Sequence, residues 1–263
     1  MLQLTHGTHR KVLPDSWEAA GPIAWQLLRD MCRLPPGAGK LSALRRLTGL
    51  TAGEFERFSP DEVAALDCGT PWLGITAIDT PLRSRMTCGL RTYWWPDTAF
   101  LDGQTLAFTL ADEYYLDALG EEGEAAADAQ LHLLACLAVP RDGIRRRLIR
   151  DRAEVEDRAH TFRRLPPEWQ AQSLMYWTGV KMKIHELYGE LLFKEDDSTD
   201  GPRSTAPHFG WPTTLQDVAQ AGAFGNLRAV QDANLHEVLQ YLARREGQRR
   251  DEIRLHESLK NKH

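Results

Sequence analysis

The sequence predicts a mainly α protein: a multi-helix domain with one small antiparallel β-hairpin and a C-terminal helical hairpin. Three observations lead there. Apolar residues recur at helical spacing over most of the chain, most clearly at Trp169, Trp177, Val180, Ile184, Leu187 and Leu191, a stripe of about six turns. Cap and breaker residues separate these periodic segments. Strand formers gather mainly between Met86 and Phe108.

In chain order, Asp15 or Ser16 can cap a first helix running to about Arg33, with Trp17, Ile23, Leu27, Leu28 and Met31 on its apolar side. Pro35-Pro36-Gly37 ends it. Shorter helices follow at 40–47, 51–57 and 59–66. In the last of these, Ser59-Pro60-Asp61-Glu62 supplies an N-cap, a proline at the first helical position and acids that suit the helix dipole. Leu90, Thr92, Tyr93, Trp94, Trp95, Phe100, Leu106 and Phe108, broken by Pro96-Asp97 and Asp102-Gly103, predict the hairpin near 90–108. Thr109 resembles the cap of the next helix. Helices are expected at 123–137, stopped by Pro140, at 151–162, and over the stripe from Trp169 to Leu191.

Residues 1–193 then make a helical domain, 194–210 a polar linker, and 211–263 a closing unit. In that unit a short helix over 213–221 leads, through Gly222 and Gly225, to a long helix from about Asn226. Its stripe is Leu227, Val230, Asn234, Val238 and Tyr241, widened by Leu235, Leu239 and Leu242. Beyond Arg244 the pattern is almost wholly charged.

Composition narrows the function classes without choosing one. Of the 263 residues 42% are hydrophobic and 26% charged, and the net charge of −5 predicts neither an acidic nor a basic partner. Cys32, Cys68, Cys88 and Cys136 are too sparse for a disulfide framework and read as buried free thiols. No apolar run follows the basic N-terminus as in a secretory signal, and none approaches the roughly 18 residues of a membrane helix, so the expected location is cytoplasmic.

Motifs that evoke chemistry fail on their details. Pro36-Gly37-Ala38-Gly39-Lys40 lacks the opening glycine and closing hydroxyl of a phosphate loop. Asp196-x-Ser198-x-Asp200-Gly201 opens like a calcium loop, but its twelfth position is Pro207 instead of a bidentate glutamate. His6 and His9 lack a third ligand, and Gly189 stands where a zinc-protease helix starting at His185-Glu186 needs its second histidine. The chain is therefore expected to be no enzyme and to hold no metal or cofactor.

Two patches remain. Arg141, Arg145, Arg146, Arg147 and Arg150 form a basic run that could meet phosphates, the alternative function of a nucleic-acid-binding protein. Pairing with the acidic segment from Asp112 to Asp128 also explains the run. Trp94-Trp95 beside Tyr93, and Tyr176-Trp177, cannot all face inward from one surface, so they are either exposed anchors or a second core layer.

The closing segment, Trp211-Pro212-Thr213-Thr214-Leu215 through Phe224 to Glu237-Val238-Leu239-Gln240-Tyr241-Leu242, resembles tail-assembly proteins of bacteriophages and prophages. These are small helical, chaperone-like proteins that end in a short helix, a turn and a longer helix. Leu13-Pro14-x-x-Trp17, Thr109-x-x-x-Glu113-Tyr114 and the helix ending at Pro140 follow a similar order. The resemblance implies a non-enzymatic assembly protein, without cofactor, acting in the cytoplasm of a bacterial host or on the assembled particle. Its partner would be a protein such as a tape-measure or tail-tube protein. The expected working surface is Leu235, Val238, Leu239, Tyr241 and Leu242 with Trp94 and Trp95, offered as a helix for a partner's groove.

Overall fold

A computed structural model describes residues 2–6, 9–74, 76–142, 145–192 and 210–260. Over these the fold is mainly α, with three two-stranded antiparallel ladders where one was expected. The first, β1 (Leu2–His6) with β2 (His9–Leu13), sets Leu2 opposite Leu13 and His6 opposite His9. Its strands alternate weakly and carry Arg10 and Lys11 on exposed positions, which hides them from a hydrophobic pattern search.

Ser16, rather than Asp15, caps α1 (Trp17–Ala20), its side chain accepting from the Ala19 amide at 3.1 Å. Gly21-Pro22 then interrupts the expected long helix with a 3-10 turn before α2 (Ala24–Arg33). After Leu34 and Pro35 the chain re-enters helix at once in α3 (Pro36–Thr48), since proline suits the first helical position. Gly39, suspected of a phosphate loop, instead lets α3 meet α2: a Cβ there would stand 2.9 Å from the Met31 carbonyl oxygen. Lys40 pairs with Asp67 at 2.5 Å. Capping boxes at Thr51/Glu54 and Ser59/Glu62 open α4 (Ala52–Phe55) and α5 (Pro60–Gly69).

The aromatic hairpin exists, displaced toward the N-terminus. β3 (Arg85–Cys88) pairs with β4 (Arg91–Trp94), placing buried Met86 opposite buried Tyr93, and Trp94 continues the pairing with Val139. The expected return strand at Phe100–Phe108 is absent. Residues Thr98–Phe100 form a 3-10 turn, and α6 (Thr105–Gly120) begins five residues later. Thr109 is thus no cap; it sits in the second turn of α6, its hydroxyl donating to the Leu106 carbonyl at 2.9 Å. α7 (Gly123–Leu137) follows, then a ladder of β5 (Arg141–Asp142) and β6 (Arg145–Arg146). Asp151 caps α8 (Arg152–Phe162).

α9 (Glu168–Leu192) runs through the middle, touching α2, α6 and α7. Because neighbours surround it, Tyr176 and Trp177 are both fully buried on adjacent positions. With Trp95 and Trp169 they make the second core layer: Trp95 stacks on Trp169 at 6.3 Å and meets Tyr176 edge-on at 5.9 Å. Leu187, expected in the stripe, is half exposed.

The last elements are α10 (Trp211–Gln220), α11 (Leu227–Asp232) and α12 (Leu235–Lys260). The expected single helix from Asn226 is two, broken at Asn234, whose side chain caps the His236 amide at 2.9 Å and donates to the Leu101 carbonyl at 2.7 Å. The expected linker lies, except for Gly210, outside the described residues, as does the Asp196–Pro207 run. Every cysteine is a free thiol, but only Cys136 is buried and Cys68 is exposed. Among the described residues no helix is long and apolar enough to cross a membrane.

Candidate functional site

The closing segment is held by one irregular loop. Ala99 and Phe100 both lie in the left-handed region, at φ 53° and 62°, a conformation costly for residues with a Cβ and sustained only where surroundings over-determine it. They do so here. The Tyr176 hydroxyl accepts from the Phe100 amide at 3.0 Å and donates to the Asp97 carbonyl at 2.6 Å, while the Asp79 carbonyl accepts from the Ala99 amide at 2.7 Å. The Phe100 ring then folds over Gly103, where any Cβ would sit 1.9 Å from it.

This strained turn exposes backbone groups that α11 and α12 satisfy. The Leu235 amide donates to the Gly103 carbonyl at 2.9 Å, and the Thr105 amide and hydroxyl both donate to the Ala233 carbonyl at 2.9 Å. Gln104 donates to Asp232 at 3.0 Å and exchanges two bonds with the Ile149 backbone. His236 bridges the Ala99 carbonyl, 3.2 Å from Nε2, and the Tyr188 hydroxyl, 3.0 Å from Nδ1. A carbonyl can only accept, so Nε2 carries a proton; in the neutral imidazole Nδ1 then accepts from the Tyr188 hydroxyl. The closing segment is therefore docked on the helical body.

That docking overturns part of the expected binding surface. Leu235, Val238 and Leu239 are fully buried, and Trp95 is 2% exposed. Leu235 and Leu239 join the main core; Val238 joins Leu215, Val218 and Val230 in a smaller one. An amphipathic stripe marks a face that is buried without telling whether its cover is this chain or another. Tyr241 and Leu242 are half-buried against the smaller core, Tyr241 edge-on to Phe224 at 5.7 Å. Trp94 is half-buried beneath the Arg141 guanidinium, 3.9 Å from its ring centroid.

The arginine run is also engaged internally. Arg146 lies against Asp102 at 3.4 Å and donates to the Leu137 carbonyl at 2.8 Å. Arg147 and Arg150 converge on Glu154, which also meets buried Arg158 at 3.0 Å. Arg152 pairs with Glu113 of the acidic helix, the intramolecular pairing that the sequence offered as an explanation. Arg145 is in β6; its side chain lies outside the description. The described side chains of the run are thus engaged within the chain, and among them the expected phosphate patch is not assembled as one surface. Among the described residues no three His, Cys, Asp or Glu side chains converge as a metal set.

What remains open lies further along α12. From Asp251 to Lys260 every residue is exposed, Leu255 at 62% and Leu259 at 53%. Closer to the body, Tyr241, Arg244, Arg245 and Gln248 face Ala221 across a cleft of about 400 Å³. Of these residues sequence reasoning singled out Tyr241 alone and passed over those from Arg244 onward as a mixed-charge tail. The usable signal was the spacing of 241, 245, 248, 252, 255 and 259, alternating intervals of four and three that align one helix face. The chain matches no protein-family model, no curated protein and no solved structure.

Local charge pairs hold α12 where packing no longer does. Glu246 meets Arg250 at 3.0 Å and Arg249 at 2.7 Å, and Asp251 faces Arg254 at 3.8 Å. The hydrogen bonds from Arg249, with those from Arg250, hold the Glu246 carboxyl down at about 2. A depressed carboxyl stabilises the fold above the ordinary glutamate range, and that contribution is lost as pH falls from there toward 2. Acidification over this window should reduce the helicity of the α12 end, seen as loss of amide-exchange protection around residues 246–254. Glu246→Gln should start from the lower protection at neutral pH and show less acid dependence. An acid profile identical in both chains would contradict this assignment.

Proposed function

We propose that this chain is a non-enzymatic assembly or chaperone-like protein of a phage-type tail system, binding its partner protein along the outer face of α12. The single observation that carries the reading is the exposed helical stretch Asp251–Lys260, with Leu255 and Leu259 one turn apart on one face. Short helical stretches without tertiary packing are marginal in water, and this one continues an element whose start is locked into the core and whose Glu246–Arg250 pair lies just before it. A rigid base with a solvated, amphipathic extension is the form that enters a partner's groove. The resemblance of residues 211–242 to tail-assembly proteins points to a tape-measure or tail-tube protein as that partner.

The test is co-purification from the native host with Leu255→Asp/Leu259→Asp as the comparison. Wild type should retain a tape-measure or tail-tube protein, and the variant should lose it, with affinity down roughly 10–100-fold as for paired interface anchors. Circular dichroism and thermal midpoint should be unchanged, because both positions are exposed. Retention of the partner by the variant would remove α12 from the reading. A wild-type protein that co-purifies with neither protein would remove the tail-system assignment.

A further inference from the structure

Resting on the assembly reading, we infer that the α12 face selects a partner helix bearing carboxylates, through Arg244 and Arg245 in the cleft beside Ala221. Four side chains spanning two turns of α12, Tyr241, the adjacent Arg244 and Arg245, and Gln248, form one wall of the cleft, and Ala221 at the end of α10 forms the other. Both arginines are exposed, and among the described residues neither takes part in an ion pair or hydrogen bond. Their acidic neighbour Glu246 is already held by Arg249 and Arg250. Two uncompensated guanidinium groups therefore stand at the head of the stripe, and Leu255 and Leu259 stand at its foot. The distance from residue 241 to 259 along the helix is about 27 Å, long enough for five turns of a partner.

Charge decides the occupant. In a parallel pairing of two copies, Arg244 and Arg245 would face their own counterparts, a like-charge juxtaposition that opposes association. In an antiparallel pairing over the whole stripe, the arginines would instead face the leucines, and the other copy's Glu252, the single carboxylate on the stripe, would serve two guanidinium groups, leaving one desolvated without a partner. A different helix satisfies both ends, with apolar residues over Leu255 and Leu259 and glutamates or aspartates about two to three turns away, reaching the guanidinium groups. Carboxylates also suit arginine's planar, two-pronged donor geometry. Tyr241 and Gln248 complete the cleft with an aromatic face and an amide able to donate or accept.

The intact protein can be tested with a yeast-displayed library of amphipathic helices. Leucines are kept at heptad spacing, and glutamate, lysine or alanine is drawn at the positions two to three turns away. Selection on wild type should enrich glutamate over lysine at those positions by at least about tenfold, a modest demand for a charge-complementary interface. On Arg244→Glu/Arg245→Glu, shown folded by circular dichroism, the preference should invert to lysine. Peptides captured through Leu255 and Leu259 with no charge preference, or a glutamate preference that survives the double reversal, would overturn this inference and leave the assembly reading standing. Capture of no peptide, or capture unaffected by Leu255→Asp/Leu259→Asp, would overturn both.

Discussion

Val238→Asp/Leu239→Asp should cost the protein its fold rather than only a partner. Both side chains are fully enclosed by their neighbours, each at 0% exposure. As adjacent residues on α12 they point about 100° apart, Leu239 into the main core and Val238 into the cluster with Leu215, Val218 and Val230. The helix is thus gripped on two sides, and no rotation frees both carboxylates. An unpaired buried charge costs on the order of 3–5 kcal/mol, so two of them approach the roughly 5–15 kcal/mol that holds a domain together. The measurement is urea unfolding followed by tryptophan fluorescence. The variant should be unfolded in buffer or lose most of its midpoint. A native midpoint with native circular dichroism would return these residues to the surface and undo the docked arrangement of the closing segment.

Gly179→Ala should be among the most damaging methyl additions at the described glycines. On α9 a Cβ at position 179 would stand 2.1 Å from the Ile78 carbonyl oxygen and 2.4 Å from its carbonyl carbon. These are backbone atoms and cannot turn aside as a side chain could. The Ile78 amide is further tied to the Met175 carbonyl at 3.1 Å, and the next residue, Asp79, accepts from the Ala99 amide. Moving the segment away would therefore pull on the left-handed turn at Ala99 and Phe100 that docks α12. Overpacking in a rigid core costs about 1–3 kcal/mol, and here the upper end or more is expected, outweighing the gain of roughly 1 kcal/mol in helix propensity from glycine to alanine. At about 2–4 °C per kcal/mol for a chain of this size, a net loss of 2–3 kcal/mol lowers the thermal midpoint by roughly 4–12 °C. An unchanged or raised midpoint would mean that the Ile78 backbone does not lie against α9.

Much of the secondary structure was legible because its signals are local. Ser59 with Glu62, Asp151 before α8 and Asn226 before α11 each satisfy amides within the next three residues, so no distant partner is needed to read them. The span of α7 and the stripe of α9 follow from periodicity in the same way. The misreadings share a cause. Phe100 to Phe108 has strand-forming composition, but the path there depends on Tyr176, Asp79 and Gly103 holding a turn against its intrinsic preference. Asn234 breaks the last helix because the Leu101 carbonyl is waiting for its side-chain amide.

For the candidate site the division is similar. The apolar face of Leu235, Val238 and Leu239 was evident from spacing, whereas of the arginines only Arg152 meets the acidic segment, at Glu113, and Arg146, Arg147 and Arg150 pair with Asp102 and Glu154 instead. Sequence by itself determined that this chain is helical, where most helices start, and which residues avoid water. Only the tertiary structure decided what covers them: the body of this same chain encloses the start of α12, and Leu255, Leu259, Arg244 and Arg245 are left facing solvent. Hydrophobic periodicity records the demand for burial, which is non-directional, whereas the identity of the covering surface is set by contacts more than a hundred residues apart, such as Asn234 on Leu101 and His236 on Ala99.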